Sequence, residues 1–318
     1  MLESKDLSFR YQNSEAPTVK ISHWTTTSAS ITALVGPSGS GKTTLLKLLS
    51  GLLAPAEGEA YWRGAAISPF AYELIPGHPD IKLVHQDYQL PGHQSLLDSL
   101  RWPLRYWDTA ARDQEIANLI PLLSLDGLEQ RKPRELSGGQ QQRAAIALGL
   151  LESPDLLLLD EPFSHVDAPR KAALRQEVRR RVEAGLTVIF TTHEPEDALA
   201  LADSIGILSE GSLVQAGDPE EVFHQPISHE IAQLLGPYNH LPAGALTHRA
   251  IGFRPSSVIL SPSGTYEGKT LGSTFFGMYA LVDIALPSGH TLLAQSSRPL
   301  AKSLTVRFSL SEDGVVSG

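Results

Sequence analysis

Ile31-Thr32-Ala33-Leu34-Val35-Gly36-Pro37-Ser38-Gly39-Ser40-Gly41-Lys42-Thr43-Thr44 decides how the rest of the chain is read. Its first five residues, apolar or β-branched, predict a buried strand, and the leucine-rich run from Thr44 to Leu53 predicts a helix. Between them stands the pattern G-x-x-x-x-G-K-T. Glycines let successive backbone amides turn toward one point, and the helix N-terminus adds positive potential. Together they suit a phosphate group, which makes Gly36, Pro37, Ser38, Gly39, Ser40, Gly41, Lys42, Thr43 and Thr44 the candidate nucleotide-binding loop. Lys42 is spaced to reach the β- and γ-phosphates, and the Thr43 hydroxyl to ligate Mg2+.

Further along, Leu156-Leu157-Leu158-Leu159-Asp160-Glu161-Pro162 places two acids after four leucines. A strand of that composition reads as central and covered on both faces. It would deliver Asp160 to the magnesium shell and leave Glu161 one residue beyond, where a carboxylate can polarise an attacking water as general base. Apolar-then-acidic is common at strand ends; its weight comes from the phosphate loop beside it. In Leu136-Ser137-Gly138-Gly139-Gln140 the Ser137…Gln140 spacing fits a capping box and predicts a helix start. Two glycines in a first turn weaken a helix, by up to about 1 kcal/mol each against alanine. The conflict is resolved if bare amides must approach a phosphate.

Composition sets the bounds. The 318 residues are 42% hydrophobic and 19% charged, a globular balance with room for one large and one small domain. A net charge of −9 gives no support for nucleic-acid binding, and Arg179-Arg180-Arg181 reads as a solvated helix face. With no cysteine, disulfides and thiolate zinc sites are excluded, and the histidines show no metal-ligand spacing. The start lacks the apolar run of a signal peptide, and no apolar stretch is long enough to span a bilayer, so a membrane role is expected to come through a partner.

Short apolar runs alternating with helix-periodic segments predict an α/β fold, with Leu186–Phe190 as another buried strand. Leu2–Tyr11, Thr18–Trp24 and Gly58–Trp62 predict an antiparallel β subdomain, and about 87–135 a leucine-rich inserted helical subdomain. Asp218-Pro219 starts a short helix through Phe223. After Gly236-Pro237 the texture shifts, and 243–318, with runs such as Ala280–Ile284, read as a small all-β domain.

With the glycine loop, the paired acids and the Ser137–Gln140 pentapeptide in this order, residues 1–236 resemble the ABC ATPases, whose signature motif that pentapeptide is. The resemblance implies further roles for residues with ordinary readings when taken alone. Tyr11, by itself a packed strand residue, would stack on adenine. Gln86, in Val84-His85-Gln86-Asp87, would sense magnesium and water. Ser164 and Asp167 would belong to a loop crossing a dimer interface. His193, in Thr191-Thr192-His193-Glu194, would touch the γ-phosphate and join Glu161 and Lys42 as a catalytic residue. ATP would lie between the phosphate loop of one subunit and Ser137, Gly138, Gly139 and Gln140 of a second, so that a homodimer closes over two sites.

Within that family, the segment from Gln86 to Leu104 is similar to the stretch of importer ATPases that receives a permease coupling helix. It departs from the usual pattern at Pro91-Gly92 and Ser99. Ile251-Gly252-Phe253-Arg254-Pro255 and the β-like runs after it resemble the oligomer-binding-fold extension of importer ATPases for sugars, polyamines, sulfate, molybdate or ferric iron. The resemblance implies ATP and Mg2+ as ligands, a membrane permease and a solute-binding protein as partners, and the cytoplasmic face of the membrane as location. An exporter or lipoprotein-handling ATPase is the alternative, which the C-terminal extension disfavours. A soluble ABC ATPase of DNA repair or ribosomes is disfavoured by the single cassette and the acidity, and a phosphate-loop kinase would need neither signature nor His193.

Overall fold

The computed structural model describes residues 1–12, 14, 16–67, 77–85, 90, 92–164 and 166–311, with the backbone of 315–317. It divides into two compact units, Met1–Pro219 and Glu220–Gly318. In the first, β1 (Leu2–Phe9), β2 (Val19–Thr26), β4 (Glu57–Trp62) and β5 (Ala65–Ala66) form an antiparallel sheet in the order β2-β1-β4-β5. A second, six-stranded sheet has the order β10-β9-β3-β8-β7-β6. Its strands are β3 (Ile31–Val35), β6 (Ile81–Val84), β7 (Leu156–Leu159), β8 (Thr187–Thr192), β9 (Ser204–Ser209) and β10 (Ser212–Gly217). All neighbours in it run parallel except the β9–β10 pair, which makes the sheet mixed.

Every residue of β3, β7 and β8 is buried, as expected of parallel strands covered on both faces. The four leucines lie one strand in from the β6 edge, not at the centre; β3 and β8 hold the middle of the sheet. Helix α1 (Lys42–Leu49) buries Leu45, Leu46, Leu48 and Leu49, a spread too wide for one face. The cause is its place between the two sheets: its leucines join one core with Leu2, Leu7, Trp24 and Trp62 on one side and Leu34, Leu158 and Ile189 on the other. Each such side chain contributes about 2 kcal/mol by burial.

The helical region contains α2 (Leu96–Arg101) and α3 (Thr109–Leu122), capped by Ser95 and Asp108, followed by α4 (Gly138–Leu151). Helix α5 (Ala168–Glu183) carries the arginine run, and acids occupy all three cations: Arg179 pairs with Asp203, Arg180 with Glu177, and Arg181 with Glu115 and Glu177. Helix α6 (Pro195–Leu201) is tied to α5 through the buried Asp197, which faces Lys171 and Arg175. No helix among the described residues is long and apolar enough to cross a membrane.

The second unit opens with α7 (Pro219–His224) and α8 (His229–Leu234). Strands β11 (Asn239–Leu241), β12 (Ile251–Phe253) and β18 (Val315–Ser317) form one antiparallel sheet. The other contains β13 (Val258–Leu260), β14 (Tyr266–Phe275), β15 (Ala280–Ala285), β16 (Thr291–Ser296) and β17 (Thr305–Leu310), in the order β13-β17-β14-β15-β16. Ala280, Val282 and Ile284 alternate inward from β15; Val282 and Ile284 meet Phe253, Leu292 and Phe308 in a separate core.

The units meet at Pro219/Glu220, earlier than the texture change at Gly236-Pro237 suggests. Arg254 supplies the reason. Only 3% exposed, it has no carboxylate partner among the described residues. Its guanidinium donates to the carbonyls of Phe223 (3.0 and 3.2 Å), Ala232 (2.9 Å), Gly236 (3.0 Å) and Pro237 (3.1 Å). The rings of Phe223 and Tyr238 lie 4.0 and 5.1 Å from it. The carbonyl ends of α7 and α8, negative poles of their helices, thus replace a counter-ion and join 220–237 to the β unit. Burial pushes the Arg254 pKa down to about 10. Arg254→Met keeps an unbranched stem and removes every donor. We expect it to cost roughly 3 kcal/mol of the unit's stability in urea unfolding followed by circular dichroism, because several buried carbonyls lose their partner. A loss below about 1 kcal/mol would mean that water replaces the guanidinium.

Candidate nucleotide site

The carboxyl ends of β3, β7 and β8 reach one edge of the sheet, where Val35 pairs with Thr192 and Leu159 with Phe190. Ligands of open α/β sheets bind at such edges. From Val35 the chain passes through Gly36–Gly41 into α1, whose N-cap, Gly41, has φ 98° and makes no side-chain cap. The first-turn amides of α1 therefore meet no capping side chain. Only glycine fits at two points of this turn. A Cβ on Gly36 would stand 2.2 Å from the Leu208 carbonyl oxygen, and one on Gly41 2.5 Å from that of Thr18.

Lys42 is buried and folds back over the loop, donating to the carbonyls of Gly36 (2.8 Å) and Pro37 (3.0 Å). Burial lowers its pKa from the ordinary lysine value, with Glu161 and Asp160 pulling the other way. The Ser40 hydroxyl is buried and has no hydrogen-bond partner among the described residues. Next to Lys42, Thr43 Oγ1 donates to Asp160 Oδ2 at 2.8 Å. Asp160 Oδ1 accepts from Thr191 Oγ1 at 2.6 Å. One carboxylate at the end of β7 therefore touches both α1 and β8.

Glu161 follows with φ 51°, a left-handed conformation costly for a residue with a side chain. Its N–H donates to Thr191 Oγ1 (2.9 Å), and its carbonyl accepts from Ser164 Oγ (2.8 Å) and Gln142 Nε2 (2.8 Å). Its carboxylate lies 3.2 Å from His193 Nδ1. His193 is half exposed, in a turn where Thr192 Oγ1 accepts from the Glu194 N–H at 2.9 Å. Lys171 holds that turn from α5 through the carboxylates of Glu194 and Asp197.

These side chains surround a cleft of about 400 Å³ lined by Thr18, Ser38, Gly39, Gly41, Lys42, Thr43, Thr44, Glu161 and His193. Asp160 lies behind Thr43. Tyr11 is 44% exposed, with its hydroxyl 3.4 Å from Thr44 Oγ1, which brings an aromatic face near the loop. Gln86 lies outside the described residues. Ser137 and Gln140 form the expected capping box, each accepting from the other's backbone N–H (2.9 and 3.4 Å). A Cβ on Gly138 would meet nothing within 4 Å. Ser137–Gln140 do not line the cleft: one chain places the two glycine motifs apart. Ser164 is turned inward onto Glu161 and Gln142, while Asp167 caps α5 and pairs with Arg170.

Three participants escape sequence reading. Thr18 lines the cleft from just before β2, which only the packing of the antiparallel sheet could show. Thr191 has a faint signal, as a hydroxyl at the end of an apolar strand. Gln142 is a glutamine in a helical run of three, with nothing in its neighbours to mark it as buried.

Residues 19–164 match the family model described as ABC transporter. The chain is 33% identical over 313 residues to the molybdate/tungstate import ATP-binding protein WtpC of Pyrococcus horikoshii, covering 90% of this chain and 87% of that protein. It is 30% identical over 318 residues to the Fe(3+) ions import ATP-binding protein FbpC 1 of Rhizobium meliloti, covering 90% and 89%. Among solved structures, the dimeric ATP-binding cassette MJ0796, in a post-hydrolysis state bound to ADP and Pi, superposes with a TM-score of 0.61 at 26% identity. That match covers 69% of this chain and 99% of the other. The glycine loop, the paired acids and His193 around one cleft, together with relatives matched over nine-tenths of the chain, establish that the chain belongs to the ABC transporter family of ATP-binding proteins.

Proposed function

We propose that this chain is the ATP-hydrolysing subunit of an ABC importer, working as a homodimer on the cytoplasmic face of a membrane beside a permease and a solute-binding protein. The observation that carries this reading is the convergence of Lys42, Thr43, Asp160, Glu161 and His193 on one cleft. The import names of relatives matched over nine-tenths of the chain support the direction of transport. Their different cargoes leave selectivity to the other subunits.

In this reading the amides of Gly39, Ser40, Gly41 and Lys42 take the phosphates, and Lys42 exchanges its two loop carbonyls for phosphate oxygens. The Ser40 hydroxyl supplies a further donor. Thr43 and Asp160 offer one hydroxyl and one carboxylate, hard oxygen donors suited to Mg2+, with Gln86 as a further ligand. That ion, when bound, would neutralise charge on the β- and γ-phosphates. Glu161 takes a proton from the attacking water, and His193, held against its carboxylate, orients toward the γ-phosphate. Tyr11 stacks on the base.

Ser137, Gly138, Gly139 and Gln140 complete the site of the second subunit. Their position away from the cleft of their own chain supports this, as do the open first-turn amides of α4. Ser164 and Asp167 lie on the segment assigned to the dimer interface. Closure of the pair on ATP moves the permease, and hydrolysis reopens it.

Two substitutions test the chemistry. Glu161→Gln should keep nucleotide affinity and lower kcat by about a hundredfold or more, measured by phosphate release. Turnover near the wild-type rate would remove Glu161 from the role of base. Lys42→Ala should weaken MgATP binding by roughly ten- to a hundredfold in calorimetry, the worth of a charge-assisted hydrogen bond. Unchanged affinity would count against the loop as the phosphate site.

A further inference from the structure

Gln142 belongs to α4, the helix opened by Ser137–Gln140, and is only 1% exposed. Its Nε2 donates to the Glu161 carbonyl at 2.8 Å and to Ser164 Oγ at 3.2 Å. Chemistry dictates this orientation, because the carbonyl can only accept. The consequence is that Oε1 is buried with no hydrogen-bond partner among the described residues. An unpaired buried oxygen costs stability and offsets much of what the two donated bonds contribute, so an apolar side chain of the same shape would fold about as well. The amide donor therefore serves something other than stability.

What it touches is the strained residue of the cleft. Glu161 stays at φ 51° because its peptide groups are held on both sides: the N–H by Thr191, the carbonyl by Ser164 and Gln142. Without the Gln142 donor the carbonyl is held by Ser164 alone, which loosens the left-handed peptide and lets the carboxylate drift from His193. Because Gln142 and the Ser137 cap share one rigid helix, the aim of Glu161 is also fixed relative to the signature turn.

We propose that Gln142 is a positioning residue for hydrolysis, holding the Glu161 backbone in its left-handed conformation so that the carboxylate faces the cleft. This rests on the role of Glu161 as base. The test uses the full chain and Gln142→Met, which keeps length and volume and removes the donor. The expected result is a kcat lower by about ten- to a hundredfold, the cost of misplacing a catalytic group by an ångström or so. Affinity for MgATP should stay within about twofold, as for an interaction that does not bind the ground state. The melting temperature should stay within a few degrees of the wild type, since the lost bonds and the removed unpaired oxygen largely offset. In a Glu161→Gln background, Gln142→Met should lower the residual rate no further, since the group it aims is gone.

An unchanged kcat overturns the proposal. So does a fall in melting temperature parallel to the fall in rate, which marks a packing role, or an equal loss of rate in both backgrounds. Near-normal turnover of Glu161→Gln alone strikes instead at the base assignment, whatever Gln142→Met does.

Discussion

Thr191 Oγ1 and the Asp160 carboxylate, 2.6 Å apart at the carboxyl edge of the sheet, hold the first unit's working parts in register. The bond joins the ends of β7 and β8, and the second oxygen of the same carboxylate takes Thr43 at the start of α1. A buried carboxylate is tolerated only when its oxygens are satisfied. Here the satisfaction comes from both sides of the cleft, so α1 and two strands cannot shift independently. Glu161 and His193 inherit their positions as near neighbours of Asp160 and Thr191 in the chain.

Around that knot the two sheets divide the work. The parallel strands supply the edge, and α1 is clamped between sheets with six of its eight residues buried, four of them leucines. The antiparallel sheet also contributes to the cleft. The Thr18 carbonyl packs so closely on Gly41 that the turn excludes any Cβ, and Tyr11 reaches Thr44 from the end of β1. A subdomain that reads from sequence as a separate layer thus shapes the glycine loop.

The Ser137 turn is the counterpart of this closed site. It is a well-capped helix start with glycine amides and no phosphate site of its own chain beside it, and Gln142, less than two turns on, grips the Glu161 carbonyl. One helix therefore carries both a glycine-opened N-terminus and a grip on its own cleft. In the second unit a buried cation is satisfied in the opposite way, by carbonyls instead of acids, and that fixes where the unit begins.

Much of this is legible in the chain alone. Ile31–Val35 and Leu156–Leu159 are strands with the bounds their residues suggest, because runs of four or five apolar residues too short for a helix can be buried only that way. The Ser137/Gln140 capping box is equally local: two side chains and two amides three residues apart decide it. The glycine loop, the paired acids and the histidine turn are chemical patterns in continuous sequence, so most residues the fold gathers around the cleft are legible in the chain. What the sequence could not express were relations between distant segments. That Thr191 bridges Asp160 and Glu161, that Gln142 is buried against a strained backbone, that Thr18 walls the cleft and that Arg254 draws 220–237 into the β unit all depend on strand order and packing. The sequence by itself determined which residues are proposed for phosphate chemistry; the tertiary structure decided which others hold them in place, because a hydrogen bond across a fold leaves no periodicity in the chain.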